Sequence, residues 1–252
     1  MSKSIDINCD LGESYGNFKV GNDDAVFPYL SSCNIACGFH GGDPYHIKNT
    51  IAKAIENDVQ IGAHPSYPDR LGFGRSKMSI AGNELQAIIE YQVAALKSMA
   101  ESQGAQVKYV KPHGALYNSM SNDLEEAKYV IAGIQAIDAG LKVMGLAGSQ
   151  LETYAHAQGI DFISEGFADR RYEQDGSLRS RRKEEAVIHS AADASRQVLS
   201  LAQDQKLVAY GGKEINIMVK SICIHGDNPA AVEILKAIHK ELKIHNIQIT
   251  KF

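Results

Sequence analysis

The sequence has no apolar run approaching the roughly 18 residues that a membrane-spanning helix needs, so no membrane partner is expected. It has no surplus of positive charge either: 26 Lys and Arg stand against 30 Asp and Glu, a formal net charge of −4. The one dense basic run, Arg179, Arg181, Arg182 and Lys183, is followed at once by Glu184 and Glu185. Phosphate backbones demand clustered Lys and Arg, so nucleic acid is not expected as a partner. The four cysteines, Cys9, Cys33, Cys37 and Cys223, form neither a CxxC pair nor a disulfide framework, and each lies in or beside an apolar run. They read as buried free thiols in a reducing cytoplasm. Both common nucleotide fingerprints are missing. There is no GxxxxGK[ST], and Gly72-Phe-Gly74-Arg75-Ser76-Lys77 lacks the third glycine of GxGxxG and follows a loop. Met1 to Ser4 lead into a strand-like segment with no signal-peptide pattern, which again points to the cytoplasm.

What is present is alternation. Strand patterns fall near Ile5–Cys9, Cys33–Cys37, Val59–Ala63, Val107–Val110, Leu141–Leu146, Phe162–Glu165 and Ile222–Ile224, with Ile247–Ile249 as a possible addition. Helical periods lie between them. One opens at Asp43-Pro44, an N-cap followed by proline. A long one carries Leu85, Ile88, Ile89, Leu96 and Met99 on a face interrupted by Gln92. Others have Asn122 and Glu125 spaced as a capping box, start near Val187, or follow Asp227 or Asn228 with Pro229. Residues 206–220 fit either a hairpin about Gly211-Gly212 or a short helix. No repeat, low-complexity tract or linker divides the chain, and 44% hydrophobic residues suffice for a sizeable core. Residues 1–252 therefore read as one α/β domain, a seven-stranded (β/α) TIM-like barrel, whose usual length is about 250 residues. The missing nucleotide fingerprints disfavour an open doubly wound sheet.

The polar residues fall at the carboxyl ends of these strands, each beside glycines: Asp10 and Glu13, His40 and Asp43, His64, Lys111 and His113, Glu165, then His225 and Asp227. In a (β/α) barrel these ends form the face on which such enzymes work. Three chemistries can use them. Asp10 with His40, His64 and His113 has the donor types to hold a divalent metal that activates water. The same groups can act as general acid and base without a metal. Arg70, Arg75 and Lys111 can grip an anion. Asp43 and Asp227 also read as helix N-caps, and an isolated histidine is more often structural than catalytic. Four histidines at four strand ends carry more weight than one.

Seven ordered strings resemble the LamB/YcsF family: Asp6-Ile-Asn8-Cys-Asp10-Leu-Gly12-Glu13, Asn34-Ile-Ala-Cys-Gly38-Phe-His40-Gly41-Gly-Asp43, Gly62-Ala-His64-Pro65-Ser-Tyr-Pro-Asp69-Arg70, Gly72-Phe-Gly74-Arg75, Val110-Lys111-Pro112-His113-Gly114-Ala-Leu-Tyr117-Asn118, Glu165-Gly-Phe167-Ala168-Asp169-Arg170 and His225-Gly226-Asp227. The resemblance spans about residues 4–250. It implies a barrel of the glycoside hydrolase and deacetylase type. It also implies the role of an A subunit that opens 5-oxoproline to glutamate at the expense of ATP, together with separate B and C subunits. Residue by residue, it suggests Asp10, Glu13, His64 and His113 for catalysis and Arg70, Arg75 and Lys111 for ATP phosphates. Asn8, His40, Asp43, Asp169, Arg170 and His225 would contact substrate. Asp10, His40, His64 and His113 are the candidate ligands should a divalent metal be involved. The chain departs from the family at Arg171 before Tyr172, and at Arg179-Ser180, where a hydrophobic-proline pair is common. Two rival readings stand beside this one: a stand-alone metal-dependent amidase or carbohydrate deacetylase, and a non-catalytic subunit that only presents substrate. Self-association is also left open.

Overall fold

In chain order the elements are β1 (Ser4–Leu11), α1 (Asp23–Val26), β2 (Ser32–Ala36), α2 (Pro44–Glu56), β3 (Gln60–His64), α3 (Gly82–Glu101), β4 (Val107–Val110), α4 (Gly114–Met120), α5 (Leu124–Ile137), β5 (Lys142–Leu146), α6 (Gln150–Ala157), β6 (Phe162–Phe167), α7 (Ala191–Asp204), β7 (Lys206–Val208), β8 (Glu214–Asn216), β9 (Ser221–Ile224), α8 (Ala231–Ile244) and β10 (Gln248–Ile249). They come from a computed structural model that describes residues 3–252, so Met1 and Ser2 lie outside the described residues. Strands β1 to β6 pair in order, all parallel, and β9 pairs with both β6 and β1. The sheet thus closes into the expected seven-stranded barrel. Strand β10 extends it beyond the amino end of β1, through Ser4 and Ile5. No described helix is long and apolar enough to cross a membrane.

Strand β1 shows how sequence sets the layers. Its odd residues Ile5, Ile7, Cys9 and Leu11 join the main apolar core with residues of the helical layer such as Ile51, Leu85, Val198 and Leu235. Full burial of each such aliphatic side chain contributes about 1.5–3 kcal/mol. The even residues Asp6, Asn8 and Asp10 are equally buried but point into the lumen. There they meet polar groups from strands that are not neighbours of β1: the Asn8 amide donates to Glu165 of β6 at 3.0 Å. Barrel interiors of this class are ordinarily layers of branched apolar residues. Here the apolar layer shrinks to Tyr109, Met144 and Ile163, against which the terminal Phe252 packs. All four cysteines are buried and free, as expected. Cys223 is more than packing, because its Sγ lies 3.1 Å from the Lys111 ammonium in the lumen.

Asp6 is the deepest of these lumen acids. It accepts hydrogen bonds from Ser31 and Ser32 at 2.6 Å each, and from Ser221. Burial nevertheless raises its carboxyl to about 6, against the lowering effect of the three hydroxyls. The folded chain therefore holds a proton that the unfolded chain has released above about pH 4, and native stability falls as pH rises from about 4 through 6. The cost on completion is roughly 3 kcal/mol. Asp6→Asn is expected to remove this slope. Urea unfolding of both proteins at about pH 4 and about pH 7 checks it, and parallel pH dependence in the two would count against it.

The loops that bear the site are pinned from below. Gln92, the polar interruption on α3, is fully buried. It brackets Ser66, accepting from its N–H at 3.0 Å and donating to its carbonyl at 2.9 Å. Asp69 accepts from the N–H groups of Gly72 and Ser76. Phe73 is held at φ 54°, a left-handed conformation costing roughly 1–2 kcal/mol, and its carbonyl then faces His113. Several boundaries differ from expectation. Helix α5 is capped by Asp123, which accepts from the Glu126 N–H, because its first turn begins one residue after the Asn122–Glu125 box requires. Helix α7 starts at Ala191 behind the Ser190 cap, and Val187 instead bridges Arg170. Helix α8 begins only at Ala231, with Asn228 accepting from the Ala230 N–H. Residues 206–220 form the antiparallel β7–β8 hairpin.

Candidate functional site

The centre of the site is Lys111, one residue beyond β4 and 2% exposed. Its ammonium reaches across the lumen to Asp10 at 3.0 Å and Glu165 at 2.8 Å, and also to the Asn8 carbonyl oxygen at 3.3 Å. Burial opposes the lysine's charge, but Asp10, Cys223 and Glu165 together hold its pKa well above the ordinary value. Burial likewise opposes the Asp10 carboxylate, and the charges of His64 and Lys111 outweigh it, holding the group well below the usual range. Asn34 supports Asp10 with a 2.8 Å hydrogen bond. Glu165 Oε2 and the hydroxyl of Tyr117 are buried close to Lys111 with no geometric hydrogen-bond partner among the described residues.

Beside this centre lie three histidines, two of them with tautomers set by their partners. His64 Nδ1 lies 2.7 Å from the Lys111 carbonyl, and His113 Nε2 lies 2.9 Å from the Phe73 carbonyl. A carbonyl only accepts, so both nitrogens carry hydrogen. The remaining nitrogens, His64 Nε2 and His113 Nδ1, face one another at 2.9 Å. Two lone pairs at that distance repel, so either a proton or a cation is needed between them. Burial and the neighbouring His64 push His113 well down. Asp10 Oδ2 lies 3.4 Å from His64 Nε2. His40 stacks face to face on His113 at 3.7 Å and is itself pushed well down by burial and by His113. Two neutral rings can stack in this way; two cations would not. Glu13 lies 3.1 Å from His40 Nε2, and burial, then Asp10 and Asp227, push its carboxyl well up.

Glu13, His40, His64 and His113 bring four potential ligand atoms within 4.8 Å of one another. The backbone carbonyls that fix the tautomers of His64 and His113 are the kind of outer contact metal-binding histidines make. The donor set therefore fits a divalent cation in place of a shared proton.

On the far side of Asp10, His225 Nδ1 lies 2.8 Å from Asp169, which also accepts from Asn228 Nδ2 at 3.0 Å. With Nδ1 directed at Asp169, Nε2 is the ring nitrogen left for other partners. The His225 ring stacks on Phe167. Burial works against the Asp169 carboxylate, but His225 and Asn228 hold it below its ordinary value.

These groups open into a cavity of about 650 Å³ at the carboxyl ends of the strands. Of the residues singled out in the sequence, Asp10, His64, His113, Lys111, Arg75, Arg170 and His225 line it. The others are placed differently. Arg70 stacks on Tyr15 at 3.8 Å and donates to the carbonyls of Gly38 and Gly42, so its guanidinium clamps the loop after β2. Asp43 caps α2, accepting from the Tyr45 and His46 N–H groups, and also from the Gly16 N–H. Asn8 lies in the lumen, and Glu13, His40 and Asp169 stand behind the cavity-lining histidines. Sequence reasoning does not single out Glu165 as a site residue, although it ends a strand like the others. It also misses Tyr117, which sits on α4, a helix with no recognisable cap. Arg181 reads in the sequence as part of a basic run and, by the family resemblance, as the terminal arginine of the loop that begins at Asp175-Gly176, without a site role.

Fold and site together define a closed (β/α) barrel with a charged lumen, its chemistry-bearing side chains meeting where barrel enzymes work. The sequence matches the LamB/YcsF family over residues 5–252, and the chain belongs to that family. A relative from Agrobacterium fabrum, named as a 5-oxoprolinase A subunit, is 47% identical over 249 residues, covering 99% of this chain and 98% of the relative. The crystal structure of a lactam utilization protein from Thermus thermophilus superposes with a TM-score of 0.93 at 36% identity, covering 99% of this chain and all of that one. A family 4 carbohydrate esterase from Streptomyces lividans shares the fold at a TM-score of 0.50 and 12% identity, covering 98% of this chain and 91% of its own.

Proposed function

We propose that this chain is the A subunit of an ATP-dependent 5-oxoprolinase, working with B and C subunits to hydrolyse 5-oxoproline to glutamate. A lactam amide is a poor electrophile. Transfer of the γ-phosphoryl group of ATP to the lactam oxygen releases ADP and activates the ring carbon. Water then adds at that carbon, the C–N bond breaks with a proton going to nitrogen, and a second water releases phosphate. What supports this reading is the arrangement of imidazoles about Asp10. On one side the His64–His113 pair, 2.9 Å apart, is placed to pass a proton to the departing nitrogen; on the other, His225, hydrogen-bonded to Asp169, is placed to take one from water. Arg75, which lines the cavity and pairs with Asp227 at 2.6 Å, is the cation offered to phosphate. The test is to reconstitute the purified chain with its partner subunits and follow glutamate, ADP and phosphate from 5-oxoproline and ATP. Equal release of all three supports the reading; no glutamate above the mixture lacking this chain overturns it.

The four-donor group favours a second reading, a metal-dependent amidase or deacetylase. Glu13, His40, His64 and His113 would hold the ion, and a divalent cation there supplies an activated water. Stoichiometric metal in the purified protein, with hydrolysis of an amide in the absence of ATP and its loss on chelation, would select this reading.

A further inference from the structure

The cavity is lined by two guanidinium groups that the acid–base groups do not use. Lys111 is neutralised by Asp10 and Glu165, and Arg75 is paired with Asp227. Arg170 and Arg181 also line the cavity, and among the described residues neither makes a salt bridge. Arg170 is 5% exposed, and its guanidinium donates only to the carbonyls of Arg179 at 2.7 Å and Ala186 at 3.4 Å. Burial, then repulsion from Arg181, pull Arg170 down to about 10 in spite of the attraction of Asp169. A buried cation without an anion is costly, and a bound anion relieves that cost. Arg181 reaches the same space from the loop between β6 and α7, where its charge is felt by Asp10, Asp169 and Asp227. Leu146, Phe167 and Leu178 give the same cavity apolar walls. A small ring bearing an anion therefore has an apolar surface to lie against and two unpaired guanidinium groups to meet.

We propose that Arg170 and Arg181 form a carboxylate subsite that takes the acid group of the lactam substrate and turns its amide toward Lys111 and His64. The proposal rests on the 5-oxoprolinase reading. It deepens that reading by assigning substrate specificity to the loop between β6 and α7. A phosphate group of ATP has the same anionic chemistry, and the experiment separates the two. Arg181 lies on a loop, lines the cavity and remains open to solvent on one side, so Arg181→Gln is expected to leave the fold intact. The complex is reconstituted with the wild-type chain, with Arg181→Gln and with Arg181→Lys, and kcat and KM are measured for 5-oxoproline and for ATP in turn.

The expected result for Arg181→Gln is a KM for 5-oxoproline raised about 10- to 100-fold, with kcat and the KM for ATP each changed less than about threefold. Arg181→Lys recovers part of the loss, because it keeps the charge but not the two-pronged geometry. A raised KM for ATP alone would overturn the proposal in favour of a phosphate site. No change in either KM, or parallel changes in both with a fall in kcat, would also overturn it. A wild-type complex that fails to turn over 5-oxoproline defeats the underlying reading instead, whereas an active wild type with an indifferent Arg181→Gln defeats only the subsite.

Discussion

Replacing Lys111 with methionine is expected to lower stability by about 3–5 kcal/mol and to reduce turnover at least about 10³-fold. The methionine fills the same space, so what is removed is charge. Asp10 and Glu165, both buried, are left with no cation between them, and removing one partner of a buried ion pair leaves the full desolvation cost of the other. Denaturant unfolding of the variant reads the first effect. Adding Glu165→Gln to Lys111→Met removes one of the two stranded charges. That double variant should recover part of the lost stability while activity stays low, because neighbours in one network do not add. Recovery of activity along with stability would mean that Lys111 only holds the barrel together.

The second large effect is expected at His113. His113→Asn keeps an acceptor near the position of Nδ1, so His64 Nε2 still has a partner and the fold should hold. What disappears is the imidazole that faces His64. Loss of a positioned acid or base typically reduces rate about 10²- to 10⁴-fold. The reduction should appear in kcat, with little change in the KM for 5-oxoproline, because the ring is assigned to proton transfer and not to binding. A variant with wild-type kcat would remove the pair from the chemistry. One with a raised KM alone would make His113 a binding residue.

Much of this architecture is legible in the residues. Seven strand patterns match the seven barrel strands within a residue or two, since each is a short apolar or alternating run bounded by turn residues. The carboxyl-end polar groups are legible for the same reason, because parallel strands must present their last residues on one face. The lumen is not legible. Ile5, Ile7 and Cys9 define the face of β1 turned to the helices, and nothing local tells whether Asp6, Asn8 and Asp10 opposite them face water or one another. Only closure of β9 on β1 buries them and brings Glu165 and Cys223 to Lys111. Arg70 illustrates the converse. Its neighbourhood reads as an anion-gripping loop, yet its guanidinium is spent on two backbone carbonyls and a tyrosine ring, contacts that depend on how the loops after β1, β2 and β3 meet. The facing of the His64 and His113 ring nitrogens depends likewise on two carbonyls, those of Lys111 and Phe73, distant in sequence from one ring or the other.

The claim that the chemistry resides at this buried centre is tested most directly by one variant, Asp10→Asn, in the reconstituted complex. The substitution keeps shape, and Lys111 retains Glu165, so the complex should still assemble, with a melting temperature lowered because Lys111 loses one of its two buried carboxylates. It removes the carboxylate that stands between the His64–His113 pair and His225. The measurement is the rate of glutamate formation from 5-oxoproline at saturating ATP. The expected result is a loss of about 10³-fold or more in a complex that still assembles. Glutamate formation within about threefold of wild type would contradict the account and place the chemistry elsewhere.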